Sequence, residues 1–117
     1  MINCYQIESC AGRFSRDHSH FIRQTPLWKL PGSALGVNCS QVWLKLGHLQ
    51  TGGSFKARSM LNRLLFNLIL ARGVIVASGG KAGIATAAAA QALDVMCEVY
   101  VPEVTGAAKL VKLGARL

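Results

Sequence analysis

The sequence predicts an α/β fold, a parallel sheet in which strands and helices alternate, part of a larger layered architecture. Three observations carry that expectation. Residues 41–46, 74–77 and 97–101 are short apolar runs rich in β-branched and aromatic side chains, the length and composition of strands. The segments that follow them carry apolar residues at helical spacing, or dense alanine, the best helix former. Glycine-rich loops lead from the first two runs into those helices, and alternation of this kind argues for parallel strands joined by right-handed crossovers.

In chain order, residues 1–24 show no clean period and are expected to form an irregular arm. Residues 25–117 then make the α/β domain. Thr25-Pro26-Leu27 opens it, and Pro31-Gly32-Ser33 signals a turn. The strand at 41–46 ends at Gly47, and Thr51-Gly52-Gly53 supplies a flexible loop. Ser54 stands where a helix wants its N-cap, since a hydroxyl can accept an orphan backbone N–H. Behind it Ala57, Met60/Leu61, Leu64/Leu65 and Leu68 recur as one buried face, and Ala71-Arg72-Gly73 closes the helix. Val74-Ile75-Val76-Ala77 is continuously apolar, as expected of a strand covered on both faces. Ser78-Gly79-Gly80 leads into an alanine-rich helix over 83–93. The third strand stops at Pro102, and Thr105 is placed to cap a last helix through Lys109 and Leu113.

The 117 residues amount to one domain, and 51% hydrophobic content with 15% charged residues supports a core rather than disorder. The net charge of +8 comes from 13 Lys and Arg against 5 Asp and Glu. Those cations are scattered, with no adjacent run and no interleaved aromatics, so a solvated basic surface is the reading and nucleic acid is not an expected partner. Cys4, Cys10, Cys39 and Cys97 include no C-x-x-C pair, which argues against a structural metal. Unpaired thiols suit a reducing compartment. No apolar stretch reaches the roughly 20 residues of a membrane helix, and residues 1–24 lack the apolar core of a secretory signal. A cytoplasmic protein without a membrane partner is therefore expected.

Ligands of parallel sheets bind where strands deliver their carboxyl ends into helix N-termini. Two such loops occur, at 47–54 and 78–82, and neighbouring strands would open both onto one edge. Gly79, Gly80 and Gly83 leave backbone N–H groups uncovered. The helix behind adds roughly half a positive charge, suiting a carboxylate or phosphate. A bare strand-to-helix turn would also use glycine. Lys56 enters the opening turn of its helix; a cation there opposes the dipole, which favours the neutral, nucleophilic amine. Such an amine forms Schiff bases with aldehyde cofactors, though taken singly a solvent-exposed lysine is the plainer reading.

The combination is more specific. Lys45-Leu46-x-x-x-Gln50-x-x-Gly53-Ser54-Phe55-Lys56-x-Arg58, followed by a strand and Ser78-Gly79-Gly80-x-Ala82-Gly83-Ile84-Ala85, resembles the fold-type-II pyridoxal-phosphate enzymes. Within them it is most similar to the threonine/serine dehydratases of the tryptophan synthase beta-like fold, with their racemase and ammonia-lyase relatives. The resemblance runs over about residues 24–105. It implies pyridoxal 5'-phosphate as cofactor and Lys56 as the catalytic lysine that bonds it and acts as base at the substrate's α-carbon. It places Phe55 beside the cofactor ring and Ser54 at the active site. Ser78, Gly79, Gly80 and Ala82 would form the loop that binds the substrate carboxylate. The implied reaction removes water from threonine or serine and releases ammonia, leaving a 2-oxo acid.

The pattern departs from the family at three points. Position 81 is Lys where the family has an asparagine that hydrogen-bonds the cofactor's ring hydroxyl, and Lys81 is the cofactor contact expected in its stead. Position 47 is Gly where Glu is usual. The chain stops at Leu117, whereas these enzymes continue with a second half that carries a glycine-rich phosphate cradle; Gly114-Ala115-Arg116 resembles the end of a family helix. The expected partner is a small amino-acid substrate, with association into a homo-oligomer. The alternative is a truncated, catalytically inactive relative acting as an interaction or regulatory module.

Overall fold

The computed structural model describes residues 3–114. In chain order it contains α1 (Cys4–Asp17), β1 (Leu27–Pro31), β2 (Gln41–Lys45), α2 (Lys56–Phe66), β3 (Val74–Ala77), α3 (Lys81–Ala92), β4 (Cys97–Tyr100) and α4 (Ala107–Gly114). Short 3-10 turns occupy Gly32–Leu35, Gly47–Leu49 and Thr51–Gly53.

The α/β class holds, and β3–α3–β4 is its centre. β3 and β4 pair in parallel, with Val74 opposite Cys97 and Ala77 opposite Tyr100. The strand at 41–46 is a correction, because β2 does not join that sheet. It pairs antiparallel with β1, from Leu27 opposite Lys45 to Pro31 opposite Gln41. The reversal begins at the predicted Pro31-Gly32-Ser33 turn. A Cβ on Gly32 would collide with the backbone of Cys39, and Gly36 takes the left-handed φ of 67°, so glycine is required for the turn to close.

The segment expected to be an irregular arm is instead helical over α1. Asn3 Oδ1 accepts the Gln6 N–H at 3.0 Å, and Gln6 Oε1 accepts the Asn3 N–H at 3.0 Å, a reciprocal capping box. Phe14 anchors the helix in the core. Cys10 donates its S–H to Asn62 Oδ1 on α2 at 3.1 Å.

α2 begins at Lys56, two residues beyond the expected cap. Ser54 Oγ still accepts the Lys56 N–H at 3.3 Å. Ala57, Leu61 and Leu64 face the core as predicted, but Leu68 is 91% exposed. The helix has ended at Phe66, and Asn67 takes extended dihedrals. Gly73 therefore does not close a helix. Its φ of 84° turns the chain into β3, where any side chain would strike Met96.

α3 is buried from Gly83 through Ala90. A helix apolar on every side belongs inside a protein, and alanine's single methyl lets neighbouring backbones approach closely. α2 and the β3–β4 sheet both pack on it. Its end is a Schellman turn: Val95 N–H bonds Ala90 O at 2.9 Å and Asp94 N–H bonds Gln91 O at 3.3 Å. Asp94 holds the left-handed position at φ 54°, usually a glycine's place. β3 is covered on one face only, by α3, and Ile75 on the other face is 71% exposed; the expectation of two covered faces is not met among the described residues. α4 buries Leu113. Of the helix-ending Gly114-Ala115-Arg116, the last two lie outside the described residues.

The core joins Phe14, Phe21 and Ile22 to Ala57, Leu61 and Leu64 and to Ala88–Ala90 of α3. Leu61 is its largest fully buried side chain. Leu61→Ala should cost about 2–5 kcal/mol of unfolding free energy, read as a lower denaturant midpoint. All four cysteines are free, with Cys4 and Cys39 exposed. Burial pushes the Cys97 thiol above its ordinary range, so at neutral pH an alkylating reagent should modify Cys4 and Cys39 well before Cys97, as peptide mass mapping over time would show.

Candidate active site

The loop carrying Lys56 is tied down before the lysine is reached. Gln50 is buried, and its side-chain amide binds the backbone of residue 23 on both sides. Oε1 accepts the Arg23 N–H at 2.8 Å, Nε2 donates to Arg23 O at 2.8 Å, and Oε1 also accepts the Thr51 N–H at 3.1 Å. Thr51 Oγ1 donates to Phe21 O at 2.6 Å. Gln50 formed part of the quoted motif, but its task was not foreseen. A glutamine followed by glycines reads locally as loop, and its partner is 27 residues away.

Gly52 and Gly53 continue with φ of 73° and 70°, conformations that a side chain would strain. A Cβ on Gly52 would rest 3.6 Å from Ile84 Cγ2, so this turn lies directly on α3. Ser54 and Lys56 are half-buried, and Phe55 is 67% exposed. The Lys56 ammonium lies 5.0 Å from the centroid of the Phe55 ring, within cation–π range.

The second loop follows β3. Ser78 N–H donates to Tyr100 O at 2.9 Å, extending the parallel ladder by one step. Ser78 Oγ accepts the Gly80 N–H at 3.3 Å. A Cβ on Gly79 would crowd Thr105 and Pro102, and one on Gly83 would crowd Ser78 O and Val99. Gly80, by contrast, faces open space. No side chain caps α3, so the opening amides of the helix, around half-buried Ala82, keep their donors for a ligand. Beside them, a groove of about 310 Å3 runs along Ala77, Ser78, Tyr100, Val101 and Pro102 at the strands' carboxyl ends.

Although β2 and β3 lie in different sheets, the two loops meet. Lys81 is exposed at the first position of α3, and its Nζ donates to Gly53 O at 3.3 Å. The juxtaposition expected from neighbouring strands is thus reached through a helix entry and a 3-10 turn. A larger groove of about 1120 Å3 lies between α1 and α2, lined by Phe14, Arg23, Arg58 and Asn62, and touches this region at Phe55. Among the described residues no three His, Cys, Asp or Glu side chains group as metal ligands, and no helix is long and apolar enough to cross a membrane.

Fold and site together define an α/β domain in which the loop leading to Lys56 meets the entry of the next helix through Lys81 and Gly53. The model of the family described as "Pyridoxal-phosphate dependent enzyme" matches residues 18–116, and the chain belongs to that family. The catabolic L-threonine dehydratase TdcB of Staphylococcus aureus (strain N315) is 35% identical over 91 residues, 76% of this chain and 26% of the relative. The serine racemase of Dictyostelium discoideum superposes with a TM-score of 0.76 at 28% identity, over 94% of this chain and 35% of the other. A pyridoxal 5'-phosphate-dependent aspartate racemase gives 0.74 at 29% identity, over 94% and 35%. The chain spans about a quarter of the length of the curated relatives it matches.

Pyridoxal phosphate is the cofactor of this family, and the residues present fit its reactive end. An amine stands at the α2 entry beside an aromatic ring, and at the entry of α3 Gly80 borders open space with uncapped amides behind it. Gln50→Ala should leave the Arg23 amide and carbonyl unpartnered and cost about 1–3 kcal/mol, measured by thermal unfolding. Gln50→Glu, which turns a buried carboxylate oxygen toward the Arg23 carbonyl, should destabilise at least as much.

Proposed function

We propose that the chain is the amino-terminal portion of a pyridoxal-phosphate-dependent threonine/serine dehydratase, acting in the cytoplasm. The observation that carries the reading is the meeting of the Lys56 loop with the Ser78–Gly80 loop through Lys81 and Gly53. The dehydratase at 35% identity supports the choice of reaction.

When bound, pyridoxal phosphate supplies an electron sink that acidifies the substrate's α-carbon. Lys56 would hold the cofactor through Nζ, and the same amine is the base that would take the substrate's α-proton. Phe55 flanks the cofactor ring. The uncapped amides at the entry of α3, with Ser78, Gly79, Gly80 and Ala82, hold the substrate carboxylate where the helix field is positive. Ser54 presents its hydroxyl beside the lysine, and Lys81 donates to a cofactor oxygen. The α-proton taken by Lys56 would leave with the substrate's β-hydroxyl as water, and one water molecule would then be consumed in hydrolysing the product to a 2-oxo acid and ammonia.

A second reading, a non-catalytic association module, is favoured by the apolar side chains left open on both sheets, Trp28, Trp43, Ile75 and Tyr100, each more than half exposed. The two readings separate in one set of measurements. Wild-type protein mixed with pyridoxal phosphate should develop a visible absorbance band that Lys56→Ala abolishes, and borohydride reduction should leave the label on the peptide containing Lys56. Absence of any Lys56-dependent band would overturn the dehydratase reading. Formation of a 2-oxo acid from threonine or serine, against formation of the D-amino acid, then separates dehydration from racemisation.

A further inference from the structure

We infer that Lys81 is a positioning residue, whose ammonium clasps the Thr51–Gly53 turn to the entry of α3 and so sets Lys56 against the Ser78–Gly80 loop. The inference rests on the function proposed above for Lys56 and adds to it a task for Lys81 that exists before any cofactor arrives.

Helix energetics do not account for a lysine in this place. A cation at the first position of a helix opposes the dipole, and an acid or a capping side chain is what α3 would favour. The compensating contact is with the lysine loop. Lys81 Nζ donates to Gly53 O at 3.3 Å, and Gly53 offers that carbonyl from a left-handed backbone with φ of 70°. A Cβ on Gly53 would stand 3.2 Å from the same Nζ, so the glycine keeps the approach open. On the other side of the turn, Gly52 rests on Ile84 and Ala85, so the clasp closes over an apolar contact. Upstream the loop is fixed by Gln50 to Arg23. Between that anchor and α2, the hydrogen bond that ties the loop to α3 among the described residues is the one from Lys81.

Chain length makes the contact specific to lysine. An asparagine at this position ends two bonds short of where Nζ stands and does not reach Gly53 O from the same backbone. An ammonium carries three donors. One is spent on Gly53, and the others remain for a ligand oxygen between the loops. The clasp and a cofactor contact are therefore compatible, and they are separable by experiment.

The test compares wild-type chain with Lys81→Met, which ends one bond short of Nζ and loses every donor, and Lys81→Arg, which keeps charge and donors. In cofactor-free protein, amide hydrogen exchange is followed at Gly53 and Ala57, whose N–H groups bond Gln50 O and Ser54 O. Loss of one hydrogen bond to a charged donor should quicken exchange there by roughly five-fold or more in Lys81→Met, with Lys81→Arg close to wild type. With pyridoxal phosphate added, the visible circular dichroism of the Lys56-dependent band should shrink in Lys81→Met and return in Lys81→Arg. Far-ultraviolet circular dichroism confirms that α3 is intact in each variant. Weaker cofactor binding with unchanged exchange would make Lys81 a direct ligand only and overturn the clasp. If no variant, wild type included, shows a Lys56-dependent band, the dehydratase reading falls, and the exchange comparison still decides the clasp by itself.

Discussion

The structure depends on the burial of α3 on all sides. From Gly83 to Ala90 every residue of this helix is buried, and the residues that allow this are mostly alanines, with Ile84 and Thr86 among them. Each alanine gives up the area a leucine would bury, so the helix gains little from any one contact. What it gains is proximity. α2, the β3–β4 sheet and the Thr51–Gly53 turn all lie against it, and Thr86 satisfies its own hydroxyl by donating to Ala82 O at 2.8 Å. A helix so enclosed has one fixed position, and its first turn has a fixed position with it.

That fixed first turn is what gives the candidate site its geometry. Parallel α/β folds commonly gather ligands at the ends of adjacent strands. Here the strand that precedes the lysine loop is paired in a separate antiparallel ribbon. The lysine loop is brought to the glycine loop by packing its glycines on α3, with Gln50 holding its other end. Gly52 and Gly53 are needed for their left-handed φ, and Gly83 because a Cβ would strike Ser78 O, whereas a Cβ on Gly80 would meet nothing. At Gly80 the open space suits a ligand.

Local features were legible in the sequence where they depend on neighbours in the chain. β3, α3 and β4 follow from composition and period, and the Ser54–Arg58 and Ser78–Ala85 motifs name the loops before any coordinates. α1 was equally local and was missed. Asn3 with Gln6 is a capping-box pair, and Ile7, Cys10, Ala11 and Phe14 fall at helical spacing; scattered polar residues obscured that stripe. The end of α2 was misjudged because Leu68 continues the apolar period after the backbone has already turned at Asn67. Pairing direction and coverage are of another kind. That β2 meets β1, and that Ile75 faces outward, depend on contacts far apart in sequence, which no window of residues records.

One consequence links the electrostatics to the loops. Lys56 and Lys81 both stand at the first position of a helix, where each opposes the positive end of the dipole. Neither helix has an acidic residue in its first turn to soften this. The site thus gathers two cations around one junction, with unspent N–H donors at the entry of α3, while the Lys56, Ala57 and Arg58 N–H groups of α2 are already bonded to Ser54 and Phe55. Each helix entry carries a local electrostatic cost that an anionic group placed between the loops would relieve. A ligand of that charge that bound the folded junction and not the unfolded chain would stabilise the arrangement by mass action. In the protein itself the junction is held by the Gln50 contacts to Arg23 and the Lys81 contact to Gly53.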